Sequence, residues 1–129
     1  MSPISCDQTP AWRALQAAFD APGRSFDLRA GFAADADRFQ AFSQSAPHVF
    51  ADLSKNLIDS ATEHLLFELA RQTGLEQHRD AMFAGAAING TEQRAVMHWL
   101  LRQPALAPAA GQLAGESAAV RTVLDAMLE

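Results

Sequence analysis

The residues best equipped for chemistry lie in Ile88-Asn-Gly-Thr-Glu-Gln-Arg-Ala-Val-Met-His98, where Asn89, Thr91, Glu92, Arg94 and His98 crowd polar groups against an apolar stretch. Read as helix, this segment sets Arg94 and His98 one turn apart on one face. Such a pair of hydrogen-bond donors suits an anionic substrate. The same groups also serve as a hydrogen-bonded network that fixes the segment against its neighbours, and this is the reading preferred from the sequence. Ser54-Lys55-Asn56 offers a hydroxyl and a cation that, beside the free amides of a helix start, suit a phosphate. No glycine-rich phosphate loop accompanies it, so a turn held by its own side chains is the simpler expectation.

The remaining reactive groups are scattered. Histidines 48, 64, 78 and 98 do not fall at metal-ligand spacing, and no His-Glu-x-x-His pair is present. Asp59, Glu63 and Glu68 would act as acid and base only with shifted pKa values. Their places at a helix start and on its outer face instead mark them as caps and solvated charges. Cys6, the sole cysteine, sits in a polar amino-terminal stretch and would need a histidine brought to it by folding before it could act as a nucleophile.

Thr9-Pro10 starts a helix with a capping oxygen and a proline where no hydrogen bond is lost, and Trp12, Leu15 and Phe19 form its apolar stripe up to Pro22-Gly23. Asp27 to Phe32 reads as a short helical turn leading to a second helix from Asp35 to Phe42, with Phe32, Phe39 and Phe42 sharing a core. His48-Val-Phe-Ala-Asp-Leu53 is the one strand, bounded by Pro47 and Ser54-Lys55-Asn56. A strand without a partner leaves its amides and carbonyls unsatisfied, so another part of a larger protein, or another chain, is expected to complete its sheet.

Ser60-Ala-Thr-Glu63 reads as a capping box ahead of Leu65, Leu66, Leu69 and Ala70, with Gly74 as the left-handed stop. A helix from Leu75 to Ala84 ends at Gly85. Glu92 to Arg102 is expected to be a deeply packed helix, Pro104 to Gly115 a connecting loop, and Ser117 the cap of a final helix bearing Val120, Val123, Leu124, Met127 and Leu128. That helix is apolar on one face up to Leu128 and has no glycine cap, which suggests a piece of a longer chain.

The 129 residues suffice for one domain, and 49% hydrophobic content makes disorder improbable. Fifteen acidic against ten basic residues, a formal charge of -5, oppose attraction to nucleic acid. A single cysteine excludes an internal disulfide and fits a reducing cytoplasm. No secretory signal and no apolar run of membrane-spanning length is found, so neither export nor membrane insertion is expected.

Asp27-Leu-Arg-Ala-Gly-Phe32, Asp37-Arg-Phe39, Asp52-Leu-Ser-Lys-Asn-Leu-Ile58, Arg79-Asp-Ala-Met-Phe-Ala-Gly85, and Ile88 to His98 ending in Leu101-Arg102 together resemble the start of glucose-6-phosphate isomerases, in order and spacing. The resemblance covers nearly the whole chain. Departures are Leu53 for the usual tyrosine, Ala86-Ala87 for a common charged pair, and Met97-Trp99 for smaller aliphatics. All are core-like changes of tolerable volume.

The resemblance implies an enzyme that interconverts glucose 6-phosphate and fructose 6-phosphate in glycolysis and gluconeogenesis, without metal or organic cofactor. Ring opening would precede proton transfer between two adjacent carbons through an enediol. A glutamate base, a histidine and a lysine near the ring oxygen and a Ser/Thr cluster on the phosphate would all come from beyond the position equivalent to Glu129. No catalytic, substrate-binding or metal-binding residue is therefore expected on this chain.

The fold implied is mostly α with one short strand. Residues 1–129 would be the amino-terminal, largely helical part of an α/β/α three-layer sugar-isomerase fold, incomplete in this chain, and inactive alone. Its expected partners are the remainder of its own chain and, as in the family's homodimer, a second subunit. The alternative is a free-standing helical interaction module, derived from that enzyme, whose partner covers an exposed apolar patch.

Overall fold

Thr9 shows how closely the local signals are obeyed. Its hydroxyl accepts from the Trp12 amide at 3.1 Å and donates to the Cys6 carbonyl at 2.7 Å, so α1 (Pro10–Asp20) starts where threonine followed by proline dictates. The chain is described here from a computed structural model covering residues 4–21, 23–103 and 113–129. It divides into two compact units, Met1–Thr73 and Gly74–Glu129. Among the described residues six α-helices, short 3-10 turns and one two-stranded antiparallel sheet are found. No helix there is long and apolar enough to cross a membrane.

In the first unit, α1 packs on α4 (Ser60–Gln72). Gln72 Oε1 accepts the Ala11 amide at 2.9 Å, so the end of α4 satisfies one of the free donors in the first turn of α1. Ala11 is buried. The cap of α4 is Asp59, which accepts from the Thr62 amide at 2.8 Å, and not Ser60 as the capping-box pattern suggests. Both are good caps, and the carboxylate reaches the helix start from one residue earlier. The Pro22 half of the expected helix stop lies outside the described residues.

Between these helices run α2 (Leu28–Ala34), capped by Asp27, and α3 (Arg38–Ala41), a shorter helix than the span Asp35 to Phe42 expected for it. Of the three phenylalanines expected to share a core, only Phe42 is buried, at 2% exposure; Phe32 and Phe39 are exposed, and Phe39 stands against Phe50 with ring centroids 6.2 Å apart.

The strand is not an orphan. β1 (Ser43–Ala46) pairs antiparallel with β2 (Val49–Asp52), Ser43 opposite Asp52 and Ala46 opposite Val49, and the Leu53 amide continues the ladder to the Phe42 carbonyl at 2.9 Å. Pro47 and His48 form the tight connection. Proline presets the first position, while His48 takes φ of 66° at the second, a pattern proper to type II turns. The sequence expectation of a single unpaired strand is thereby corrected: its partner is local.

In the second unit, Gly74, expected as the left-handed stop of the helix before it, has φ of 73° and also stands at the cap position of α5 (Leu75–Phe83), which ends before Gly85 as expected; Gly85 has φ of 77°. A Cβ on Gly85 would stand 2.5 Å from Leu113 Cδ2, so this glycine also admits the buried Leu113. Phe83 meets Trp99 edge to face at 5.2 Å.

The helix expected from Glu92 to Arg102 is reduced to a 3-10 helix over His98–Arg102, in which Leu100 alone is buried. Its first half is a loop: Gln93 takes φ of 53°, and the chain folds back so that Asn89 and Arg94 pair as an antiparallel bridge, which a continuing helix could not hold. The last helix, α6 (Ala114–Leu128), begins three residues before Ser117, with Leu113 at its cap position. Residues 114 and 115 are thus helical, and the rest of the loop expected from Pro104 lies, for residues 104–112, outside the described residues.

Candidate functional site

Ser54-Lys55-Asn56 is held from both sides. On one, Asp52 Oδ1 accepts the Ser54 amide at 2.9 Å and the Ser54 hydroxyl at 2.5 Å, and Asp52 Oδ2 meets Lys55 Nζ at 2.7 Å. The Lys55 ammonium, the Ser54 hydroxyl and then the Ser54 amide lower the Asp52 carboxyl to about 2, because each stabilises only the ionised form. A serine and a lysine already given to a carboxylate are not a phosphate cradle, so the turn reading stands and the anion-site reading is set aside.

On the other side lies Arg38, 3% exposed. Its Nε donates to the Ser54 carbonyl at 2.8 Å, and one terminal nitrogen donates to the carbonyls of Asn56 and Ile58 at 2.9 and 2.8 Å. The rings of Phe42, Phe26 and Phe32 surround the guanidinium at 4.7, 5.5 and 5.5 Å from their centroids. Its planar fork supplies donors to irregular backbone while its faces stack on aromatic rings, a combination lysine lacks. Sequence reasoning quoted Arg38 within Asp37-Arg-Phe39 but gave it no role. The available signal was an arginine set among phenylalanines at 26, 32, 39 and 42.

The Asn89–Arg94 segment closes on itself as well. Asn89 and Arg94 form an isolated antiparallel bridge, with the Asn89 amide donating to the Arg94 carbonyl at 3.1 Å. Asn89 Oδ1 accepts from the Thr91 hydroxyl at 2.8 Å and the Thr91 and Glu92 amides at 3.2 and 3.3 Å. Glu92 Oε2 pairs with Arg94 at 2.7 Å, and Gln93 closes the turn onto the Gly90 carbonyl at 2.7 Å with φ of 53°. The expected hydrogen bonds are present only in part: they join Asn89, Thr91, Glu92 and Arg94 to one another within a loop, and those described neither include His98 nor tie the segment to a neighbouring element. Arg94 and His98 do not share a helix face, although both border a groove of about 670 Å³ between the 97–101 segment and α6.

The other candidates do not assemble. All four histidines are exposed, on the hairpin turn, α4, α5 and the 3-10 segment. Among the described residues no three His, Cys, Asp or Glu side chains form a group able to hold a metal. Asp59 is held below the ordinary aspartate range by the Thr62 amide and hydroxyl, as a cap should be. Glu68 pairs with Arg71 on the surface of α4. Cys6 is exposed.

The Asp52 geometry has a measurable consequence. With its folded pKa below the unfolded value near 3.9, Asp52 contributes stability that is fully present above that value and disappears as pH falls through about 2. Carboxyl NMR titration should place its midpoint near 2, and Lys55→Met should raise it toward 3.8. A midpoint of 3.8 in the unaltered chain would contradict this geometry.

The family described as Phosphoglucose isomerase matches residues 52–129, more than half of the chain and beginning at Asp52 itself. The chain is 66% identical to a glucose-6-phosphate isomerase of Albidiferax ferrireducens over 99% of its own length, and 60% identical to that of Polaromonas naphthalenivorans over the same share. It is 54% identical to that of Leptothrix cholodnii, again over 99%. These matches cover only 26%, 26% and 22% of the relatives' own lengths, so the chain spans about a quarter of them. On this agreement in family match, in identity and in coverage, the chain belongs to the phosphoglucose isomerase family, as an amino-terminal portion of it.

Proposed function

We propose that this chain is the amino-terminal segment of a cytoplasmic enzyme that interconverts glucose 6-phosphate and fructose 6-phosphate, serving there as a positioning scaffold. The observation that carries this reading is 66% identity to a glucose-6-phosphate isomerase across 99% of the chain. The site geometry agrees with it. Ser54 and Lys55 are committed to Asp52, and Asn89, Glu92 and Arg94 to one another, so the groups best suited to chemistry act to hold loops. Proton transfer through an enediol, and grip on the phosphate, fall to residues outside this chain.

In this reading the helices and hairpin are the lead-in to a three-layer α/β/α sugar-isomerase fold, completed by the rest of the polypeptide and paired with a second subunit. No metal or organic cofactor is called for. The free-standing interaction module is not favoured: a chain matching full-length enzymes over 99% of its residues needs no separate role to explain its sequence.

The test is a chimera in which these 129 residues replace the corresponding segment of the Albidiferax ferrireducens enzyme. Isomerisation of fructose 6-phosphate should stay within about tenfold of the parent, since sequence differences confined to a scaffold cost less than about 1.4 kcal/mol at the transition state. A soluble, folded chimera without activity would refute the assignment.

A further inference from the structure

The groove between the 97–101 segment and α6 is lined chiefly by Met97, Leu101, Val120, Val123, Leu124 and Met127, with Arg94 and His98 at its border. Leu101, Val123 and Met127 are 57%, 60% and 77% exposed. A contiguous apolar surface of this kind is rarely left to water and marks an interaction site. Its walls are fixed relative to one another: Arg121, on α6, donates to the Gln103 carbonyl at 2.6 Å, tying the helix to the end of the 3-10 segment. The groove is therefore a shaped feature of the second unit.

We infer that this groove docks an apolar segment of the same polypeptide, supplied by the part of the enzyme that lies outside these 129 residues. The inference rests on the family reading and deepens it by naming the contact face. The family match runs through α6, and about three quarters of a relative's length lies beyond what this chain covers, so the polypeptide itself supplies ample apolar surface to fill the groove. Its lining gives the occupant's chemistry. Aliphatic and thioether side chains call for the apolar stripe of a helix or strand, while the polar groups that would orient a small ligand are confined to Arg94 and His98, with Arg94 already paired to Glu92.

The experiment is thiol labelling of Val123→Cys, with Met127→Cys as a second variant, in a Cys6→Ser background. N-ethylmaleimide modification of the peptide carrying the introduced thiol is followed by mass spectrometry in the isolated chain and in the full-length chimera. Labelling should be at least about tenfold slower in the chimera. Equal rates in an isomerase-active chimera would overturn the docking inference while leaving the family reading intact, whereas an inactive, folded chimera would count against the family reading itself. Protection that develops in the isolated chain as its concentration rises would make the occupant a second copy and would likewise overturn the inference.

Discussion

Replacing Arg38 with methionine should cost the first unit about 3–5 kcal/mol, enough to unfold it in most conditions. Methionine keeps much of the apolar stem and its contact with Phe26, Phe32 and Phe42, so the loss isolates the guanidinium. Without it the carbonyls of Ser54, Asn56 and Ile58 lose their donors. Hydrogen bonds to a charged group are worth about 1.5–3 kcal/mol each, and a buried group left without its partner costs about 1–3 kcal/mol, although the three are not additive. A unit of this size has only a few kcal/mol in reserve. Urea unfolding followed through Trp12, in a Trp99→Phe background, reads the first unit separately. Arg38→Lys should recover less than half of the loss, because one ammonium cannot span carbonyls that the fork reaches from Nε and a terminal nitrogen together. A midpoint for Arg38→Met within about 0.5 kcal/mol of the unaltered chain would remove Arg38 from its organising role.

The contrast between Arg38 and Thr9 shows what kind of information the sequence carries openly. Thr9, Gly74 and Gly85 act on backbone within a few residues of themselves, so their effects were legible: a cap, a left-handed stop and a helix end. Arg38 acts on carbonyls 16 to 20 residues away, and nothing in its neighbours' types announces that partnership. β1 was hidden for a related reason. Ser43-Gln44-Ser45-Ala46 has no β-branched or aromatic residue, and it is a strand because β2 folds back on it through Pro47-His48. The unpaired strand inferred from the sequence was a correct statement about backbone needs joined to an incomplete list of strands.

Glu92 to Arg102 failed in the opposite way. Its apolar residues fall at spacings a helix would accept, and Asn89 even caps the Thr91 and Glu92 amides as at a helix start, yet Gln93 takes a positive φ and turns the chain back into the Asn89–Arg94 bridge. Periodicity counts apolar residues and is blind to a backbone angle that turns the chain out of the helix. Four of the five expected members, Asn89, Thr91, Glu92 and Arg94, do bond to one another, since such groups in so short a span have each other as partners whichever backbone carries them, whereas no described bond joins His98 to them. The same holds for Asp52-Leu-Ser-Lys: the turn was legible from residue types, and its second support, from Arg38, was not.

The 129-residue chain alone should leave fructose 6-phosphate unconverted, at least about a millionfold below an intact isomerase per mole of protein. Aldose–ketose isomerisation needs a base within hydrogen-bonding reach of a carbon-bound proton, a proton source near the ring oxygen and a grip on the phosphate that holds both in register. Positioned acid–base groups are worth about 10²–10⁴-fold, and fixing the substrate adds effective molarities up to about 10⁵–10⁸ M. None of these is assembled among the described residues. Asp52, at about 2, is too weak a base for the purpose, Asp59 is occupied with Thr62, and Glu92 with Arg94. The histidines stand exposed on separate elements, where an imidazole meets water before substrate. The assay requires a host lacking its own isomerase, with product followed from fructose 6-phosphate and size-exclusion fractions matched to 13.9 kDa. Turnover that comigrates with the chain and is lost in Arg94→Ala or His98→Ala would move the chemistry onto the loop that here holds only itself. Its absence, together with an active chimera, would assign this segment the positioning role that its hydrogen bonds describe.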